Sequence, residues 1–220
     1  MKKHAHHDYF DQAYRTGSDV WTHIPYMKTA LSMMPNDISD DAMILDVGAG
    51  RGIWALKLVR LGYRVLGIDT VPGIVKKANE DIKIEGFEGK ARFVEGDVLD
   101  IPFTDGSFGM TTDIGLLQHL PKEEWSEYIT EVARVTASQG YYLNVSLSKE
   151  TSDFMGWFPK TDEQSDYEKF DVKYHFFTKD EIKQVFKSHF TVEKQMVRYF
   201  DSKTDPEDSV ALVFSLMQKK

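Results

Sequence analysis

The stretch Met43-Ile44-Leu45-Asp46-Val47-Gly48-Ala49-Gly50-Arg51-Gly52-Ile53-Trp54 decides the fold. Its first half, apolar except for Asp46, has the composition of a strand buried on both faces of a parallel sheet. Glycines then alternate at 48, 50 and 52, and an apolar-periodic run from Ile53 to Leu61 follows at once, so the stretch reads as strand, tight loop and helix N-terminus. Without Cβ atoms such a loop takes positive φ and lets a ligand lie against bare backbone, while the helix end offers N–H groups that lack an intrahelical partner. A cradle for a small molecule is the expected product.

Outward from it, strands and helices alternate: strand 43–47, helix 53–61, strand 64–68, helix 73–84, strand 91–95, strand 108–112, helix 122–136 and strand 140–146. That order belongs to an α/β protein with a mostly parallel sheet. Pro72 and Pro121 occupy first-turn positions, and Thr178 with Glu181 forms a capping-box pattern ahead of a helical face of Ile182, Val185, Phe186 and His189. Phe190 to Tyr199 and Ser209 to Met217 read as two more strands, joined by the polar turn Asp201 to Asp208, that pair antiparallel at the sheet edge. Upstream, Tyr26, Ala30 and Met33 share a helical face that stops before Pro35 and belongs to an N-terminal helical cap over 8–42. Ser148 to Phe177 has no clear period and is rich in aromatic residues and acids. Such long connections are usually functional or mobile. The expected organisation is a single domain, 1–220: cap 8–42, core 43–146, insertion or lid 147–178, and helix with strand pair 179–220.

The 220 residues, 41% apolar, suffice for a full core without metal or disulfide support. With no cysteine, thiolate zinc sites and cysteine nucleophiles are excluded. The N-terminal histidines at 4, 6 and 7 read as a solvated tail, so no metal is expected. No run approaches membrane-spanning length and the N-terminus lacks the apolar core of a secretory signal, which leads to the expectation of a cytoplasmic protein without a membrane partner. A formal charge of −8 argues against a protein that clamps a nucleic-acid backbone.

In an open α/β sheet the ligand lies beyond the C-terminal strand ends. Aspartates close four of them: Asp46, Asp69, Asp97 and Asp113. Singly each suits a turn or cap. Asp69, roughly twenty residues past the glycine turn, is where a carboxylate accepts from ribose hydroxyls in dinucleotide enzymes. The glycine spacing departs from theirs, because Gly52 follows Gly50 by two residues and not three. Asp46 would also repel a pyrophosphate, whereas it suits a ligand with an ammonium and a sulfonium centre.

Asp46-x-Gly48-x-Gly50-x-Gly52, Asp69, Gly96-Asp97-Val98 and the run to His119 together resemble a class I S-adenosylmethionine-dependent methyltransferase of the small-molecule type, over about residues 42–146. The resemblance implies a Rossmann-like seven-stranded sheet, mostly parallel with an antiparallel C-terminal edge hairpin and helices on both faces. It implies that Gly48, Ala49, Gly50 and Gly52 cradle the methionine part, with Asp46 helping to order it and Asp113 closing the neighbouring strand. Asp69 would hold the ribose with Thr70 beside the adenine, Asp97 would accept from the adenine amino group, and the Val98 N–H would face a ring nitrogen. Gly109 and Ser138-Gln139-Gly140 depart from the usual pattern without touching these positions.

Methyl transfer from a sulfonium is a direct displacement in which positioning alone can supply effective molarities of roughly 10⁵–10⁸ M. If the acceptor must lose a proton, His119 is the first candidate base, followed by Asp113, His23 and His175. Tyr9, Tyr14, Trp21 and Trp157 are candidates to roof the acceptor site. The absence of an Asn/Asp-Pro-Pro-Tyr/Phe run after the fourth strand weighs against nucleobase or glutamine amino methylation. The expected activity is methylation of a small molecule, releasing S-adenosylhomocysteine, by a monomer or homodimer. The alternatives are an RNA or protein methyltransferase, a non-catalytic cofactor-binding protein, and a nicotinamide oxidoreductase.

Overall fold

The computed structural model describes residues 7–16, 25–39, 42–152, 164–170, 172–201 and 208–220. In chain order they form α1 (His7–Thr16), α2 (Met27–Met33), β1 (Met43–Val47), α3 (Ile53–Arg60), β2 (Arg64–Asp69), α4 (Pro72–Ile84), β3 (Ala91–Glu95), β4 (Phe108–Ile114), α5 (Trp125–Val135), β5 (Thr136–Leu147), β6 (Asp166–Lys169), β7 (Val172–His175), α6 (Lys179–Phe186), β8 (Phe190–Asp201) and β9 (Ser209–Lys219). Seven strands make one sheet in the order β3-β2-β1-β4-β5-β9-β8, parallel from β3 to β5 and antiparallel from β5 outward. The chain leaves β1 for β2 on one side and returns to β4 on the other, so the switch point lies beside β1. Among the described residues no helix is long and apolar enough to cross a membrane.

Two cores sandwich the sheet. Ile44 faces a cluster with Ala30 and Met33 of α2, Trp54 and Leu58 of α3, and Ala78 and Ile82 of α4. Leu45 and Val47 face the other, with Tyr128, Ile129 and Val132 of α5 and Ile182 and Phe186 of α6. This two-sided burial is what a nearly continuous apolar strand specifies. Asn79 in α4 adds a polar tie, its amide pairing with both the N–H (3.0 Å) and the carbonyl (2.9 Å) of Phe93 in β3.

Several boundaries differ from the sequence expectation. The helix expected over 122–136 is a 3-10 turn at Lys122–Glu124 followed by α5, which stops at Val135. The strand expected over 140–146 starts at Thr136, whose hydroxyl donates to the Val132 carbonyl at 2.6 Å and lies 2.9 Å from the Thr111 hydroxyl. A local side-chain bond thus ends the helix as β5 begins to pair. An irregularity follows, with Gln139 at φ 61° and the β4–β5 register shifting between Phe108 and Met110. A Cβ on Gly140 would lie 2.9 Å from the Gly109 carbonyl, so the two departures from the family pattern pack on each other. α3 ends one residue early, β2 and β4 run on to Asp69 and Ile114, and the last two strands extend to Asp201 and Lys219. Residues 202–207 of their connection lie outside the described residues. α6 stops at Phe186, which leaves His189 beyond the helix and not on its face.

The largest correction concerns 148–177. Residues 166–169 and 172–175 form an antiparallel hairpin, β6 with β7. The chain after it is stitched to the sheet, with Phe177 N–H donating to the Leu147 carbonyl (2.8 Å) and Lys149 N–H to the Phe177 carbonyl (2.9 Å). Tyr174, Phe176 and Phe177 are buried core residues. Their aromaticity serves packing between the sheet and helices far away in sequence.

Candidate cofactor and acceptor site

The glycine turn has the left-handed geometry that its composition demands, with Gly48, Gly50 and Gly52 at φ 66°, 52° and 69°. Space matters as well as φ at Gly52, where a Cβ would lie 2.4 Å from the Phe93 ring. Phe93 fills the room under the loop that the missing side chains leave. The loop is tied to β2 by Ala49 N–H donating to the Ile68 carbonyl at 3.0 Å. Asp69 completes the tie, accepting from Gly50 N–H (2.9 Å) on one oxygen and from Val71 N–H (3.0 Å) on the other. It is only half-buried.

Asp46 differs. It is buried, and its hydrogen bond comes from the Thr112 hydroxyl at 2.9 Å. Burial pushes its carboxyl up to about 8; the Thr112 bond pulls it back, and the charges of Asp113 and Asp69 add to the rise. Tyr26, at the start of α2, lies in the field of Asp46: burial, then that charge, push its hydroxyl up to about 12. Tyr26 escapes a motif-based reading because it sits seventeen residues before β1 and reaches the strand end only through the packing of α2.

Asp113 is fully enclosed. It accepts from Leu116 N–H (2.8 Å), Leu117 N–H (3.2 Å), Tyr128 Oη (2.8 Å), Tyr142 Oη (3.1 Å) and Asn144 Nδ2 (3.3 Å). Burial raises its pKa and these donors oppose the rise. Its visible work is to hold the turn after β4, and with it Leu116, whose side chain comes within 3.0 Å of where a Gly48 Cβ would stand. At the end of β3, Asp97 accepts from Leu99 N–H at 3.0 Å and bridges to Asp100, while Val98 is buried; Thr70 follows Asp69, half-exposed.

Across β4, His119 lies in a 3-10 turn, Leu117–His119, with Phe10 of α1 and Tyr174 of β7 edge-on to its ring at 5.4 and 4.8 Å. Tyr9 of α1 stacks on Phe170 of the hairpin turn at 5.7 Å. Helix α1 and the β6–β7 hairpin therefore meet beside His119. Tyr14 belongs to α1, and Trp21, His23 and Trp157 lie outside the described residues. His175 is buried between carboxylates, with Nδ1 2.7 Å from Asp166 and Nε2 3.0 Å from Glu181, and Lys122 reaches Asp166 at 2.8 Å. Asp166 and Glu181 are held below the usual carboxylate range: burial opposes this, but the hydrogen bonds from Lys122 and His175 to Asp166, and from His175 to Glu181, outweigh it. A cavity of about 430 Å³ opens here, lined by Gln118, Leu120, Lys122, Asp166, Tyr174 and His175 among others. The Thr178 cap forms as expected, accepting from Glu181 N–H at 3.1 Å, and the Glu181 carboxylate, which meets His175, also accepts from the Thr178 backbone.

Comparison with known proteins agrees with this geometry. Residues 44–140 match the model of the methyltransferase domain family. The chain is 36% identical over 96 residues to ajmaline N-methyltransferase of Rauvolfia serpentina, a match covering 43% of this chain and 32% of that one. Such matches span about a third of the length of the curated relatives. A SAM-dependent methyltransferase structure from Methanosarcina mazei superposes with a TM-score of 0.72 at 25% identity, covering 84% of this chain and 95% of that one. The fold is shared too with Burkholderia thailandensis 1,6-didemethyltoxoflavin-N1-methyltransferase, solved with its namesake compound and S-adenosylhomocysteine (TM-score 0.78, 20% identity, 98% and 88% covered). The glycine turn, the acid-closed strands and the strand order thus accompany a match of residues 44–140 to the methyltransferase domain family and a fold shared with SAM-dependent methyltransferases.

Proposed function

We propose that this chain transfers a methyl group from S-adenosylmethionine to a small-molecule acceptor. The observation that carries the reading is Asp46: a buried carboxylate beside a glycine cradle, hydrogen-bonded by one hydroxyl and flanked by the charges of Asp69 and Asp113. Such a site favours a cation, and a nicotinamide pyrophosphate would meet repulsion there. When bound, the cofactor supplies an electrophilic methyl group on a sulfonium.

The chain's own residues divide the remaining work. The backbone of Gly48, Ala49 and Gly50 receives the methionine part, Gly52 lets the loop close over Phe93, and Asp46 pairs with the ammonium. Asp69, whose oxygens accept from the Gly50 and Val71 N–H groups, is thereby aimed at the ribose hydroxyls. Thr70, Asp97 and the Val98 N–H bound the adenine side, and Asp113 holds Leu116 against the cradle. Tyr9, Phe10 and the hairpin, which belong to the additions 8–42 and 147–178, form the acceptor side with His119 of the core. Their role is to orient the acceptor in line and exclude water. The relatives' small-molecule acceptors support that class of substrate.

Thermal unfolding with added ligands tests the reading. S-adenosylmethionine and S-adenosylhomocysteine should raise the melting temperature, by the equivalent of about 2.7 kcal/mol at a hundredfold excess over Kd. NAD and NADP should not, and a shift with nicotinamides alone would sink the assignment. A screen of amine, thiol, phenol and heterocycle acceptors with labelled cofactor then finds the substrate by release of S-adenosylhomocysteine. Binding without turnover of any acceptor would leave a cofactor-binding protein in place of an enzyme.

A further inference from the structure

We infer that Gln118 is a positioning residue that fixes His119 as the neutral Nδ1–H tautomer with its Nε2 lone pair already taken, so that His119 presents a ring surface to the acceptor side and not a proton acceptor. Three hydrogen bonds carry this. The Gln118 Oε1 accepts from the backbone N–H of Leu147 in β5 at 2.7 Å. A backbone nitrogen only donates, so the amide cannot be turned over without setting two donors against each other. The Gln118 NH₂ therefore faces His119 Nε2, at 3.2 Å, and an amide NH₂ only donates. On the other side His119 Nδ1 lies 2.9 Å from the Lys173 carbonyl, which only accepts, so the ring proton is on Nδ1.

Each of these bonds satisfies a buried group, since Gln118 and His119 are both 8% exposed. A proton arriving at Nε2 would point at the Gln118 NH₂ and break the chain of bonds from β5 to β7. On the ring itself, Phe10 of α1 and Tyr174 of β7 meet it edge-on, Tyr174 is kept neutral by a pKa raised through burial, and Lys173 offers its carbonyl. Gln118, adjacent in sequence, reads as an unremarkable polar residue because its partner Leu147 is 29 positions away.

The consequence for catalysis rests on the methyltransferase reading, but the tautomer does not, so the two fail separately. Nitrogen-15 histidine spectra of the full chain, with His119 assigned by its loss in His119→Asn, should show the Nδ1–H tautomer and a ring still neutral at pH 6, below the ordinary imidazole value of about 6.5. Gln118→Glu should reverse this: its second oxygen would draw a proton onto Nε2, and His119 should be the imidazolium at pH 7. Gln118→Met, which removes the donor while keeping the volume, should leave His119 titrating above its wild-type midpoint. An Nε2–H tautomer in the wild type, or a midpoint unmoved by both Gln118 variants, overturns the inference. If either variant unfolds, the wild-type tautomer alone decides the matter.

Discussion

Asp46 and Asp113 end neighbouring parallel strands one residue out of register, since Asp46 pairs with Thr112 and Val47 with Asp113. Side chains alternate across a sheet, so that single step puts the two carboxylates on opposite faces. Asp113 points into the α5 and α6 side, where two backbone N–H groups, two tyrosines and an asparagine converge on it. Asp46 points to the side of α2 and α3, where Thr112 donates to it and the glycine turn opens next door. The same residue type in the same kind of place thus becomes an internal anchor on one face and, in the proposed function, an electrostatic seat on the other. What separates the roles is the number of donors folded around each carboxylate.

The strongest way to break this contrast is Asp113→Ala. It would take the acceptor from two backbone N–H groups and the Asn144 amide and leave the Tyr128 and Tyr142 hydroxyls with only each other, at about 1–3 kcal/mol for each buried unsatisfied group. That total reaches the whole stability of many domains, about 5–15 kcal/mol. Denaturant unfolding should find the variant unfolded or nearly so, and a loss under 1 kcal/mol would mean that Asp113 is no anchor.

Asp69→Ala, on the ligand side, should leave the sheet folded but weaken cofactor binding by about 1.5–3 kcal/mol, the range for hydrogen bonds to a charged group. Calorimetry on the folded variant measures it. An unchanged Kd would reduce Asp69 to a turn former.

Asp46→Asn should act in two directions, stabilising the free protein while weakening cofactor binding by tenfold or more, about 1.4 kcal/mol. The folded pKa of Asp46, about 8, lies above the unfolded 3.8. Its contribution to stability is therefore fully present below pH 4 and is lost as pH rises through 8. The wild-type melting temperature should fall across that window more steeply than that of Asp46→Asn, and parallel curves would show that Asp46 does not titrate there.

The smallest effect is the most specific. A bound ammonium favours the ionised form of Asp46, so cofactor binding near pH 7 should release up to one proton and tighten as pH rises toward 8. Calorimetry in buffers of different ionisation enthalpy reads this directly. Release that persists in Asp46→Asn would assign the proton to another group.

Much of this molecule is written in local sequence. The glycines at 48, 50 and 52 dictate a left-handed turn because that conformation is costly for residues with a Cβ, whatever surrounds them. The parallel pairing of β1 with β2, β2 with β3 and β4 with β5 goes with a helix between successive strands, and the antiparallel β8–β9 edge with a connection of only seven residues, 202–208. The β6–β7 hairpin was beyond such reading: its strands have four residues each, β6 buries none of its four, and Val172 and Tyr174 of β7 are buried in a cluster with Leu143, Val145 and Leu147 of β5. The early start of β5 was hidden for a related reason, since Thr136 to Gln139 has no strand period and is joined to the sheet where Thr136 pairs with Phe108 of β4.

By itself, then, the sequence determined the glycine cradle, the acid at the end of each strand and the kind of ligand they suit, because backbone preference and charge are properties of residues and their near neighbours. Only the tertiary structure decided which aspartate anchors and which stays available, that Tyr26 enters the field of Asp46, and that both ring nitrogens of His119 are already engaged. Those outcomes depend on donors brought from Thr112, Tyr128, Tyr142 and Leu147, and strand register and helix packing set their approach, to which no local pattern gives access.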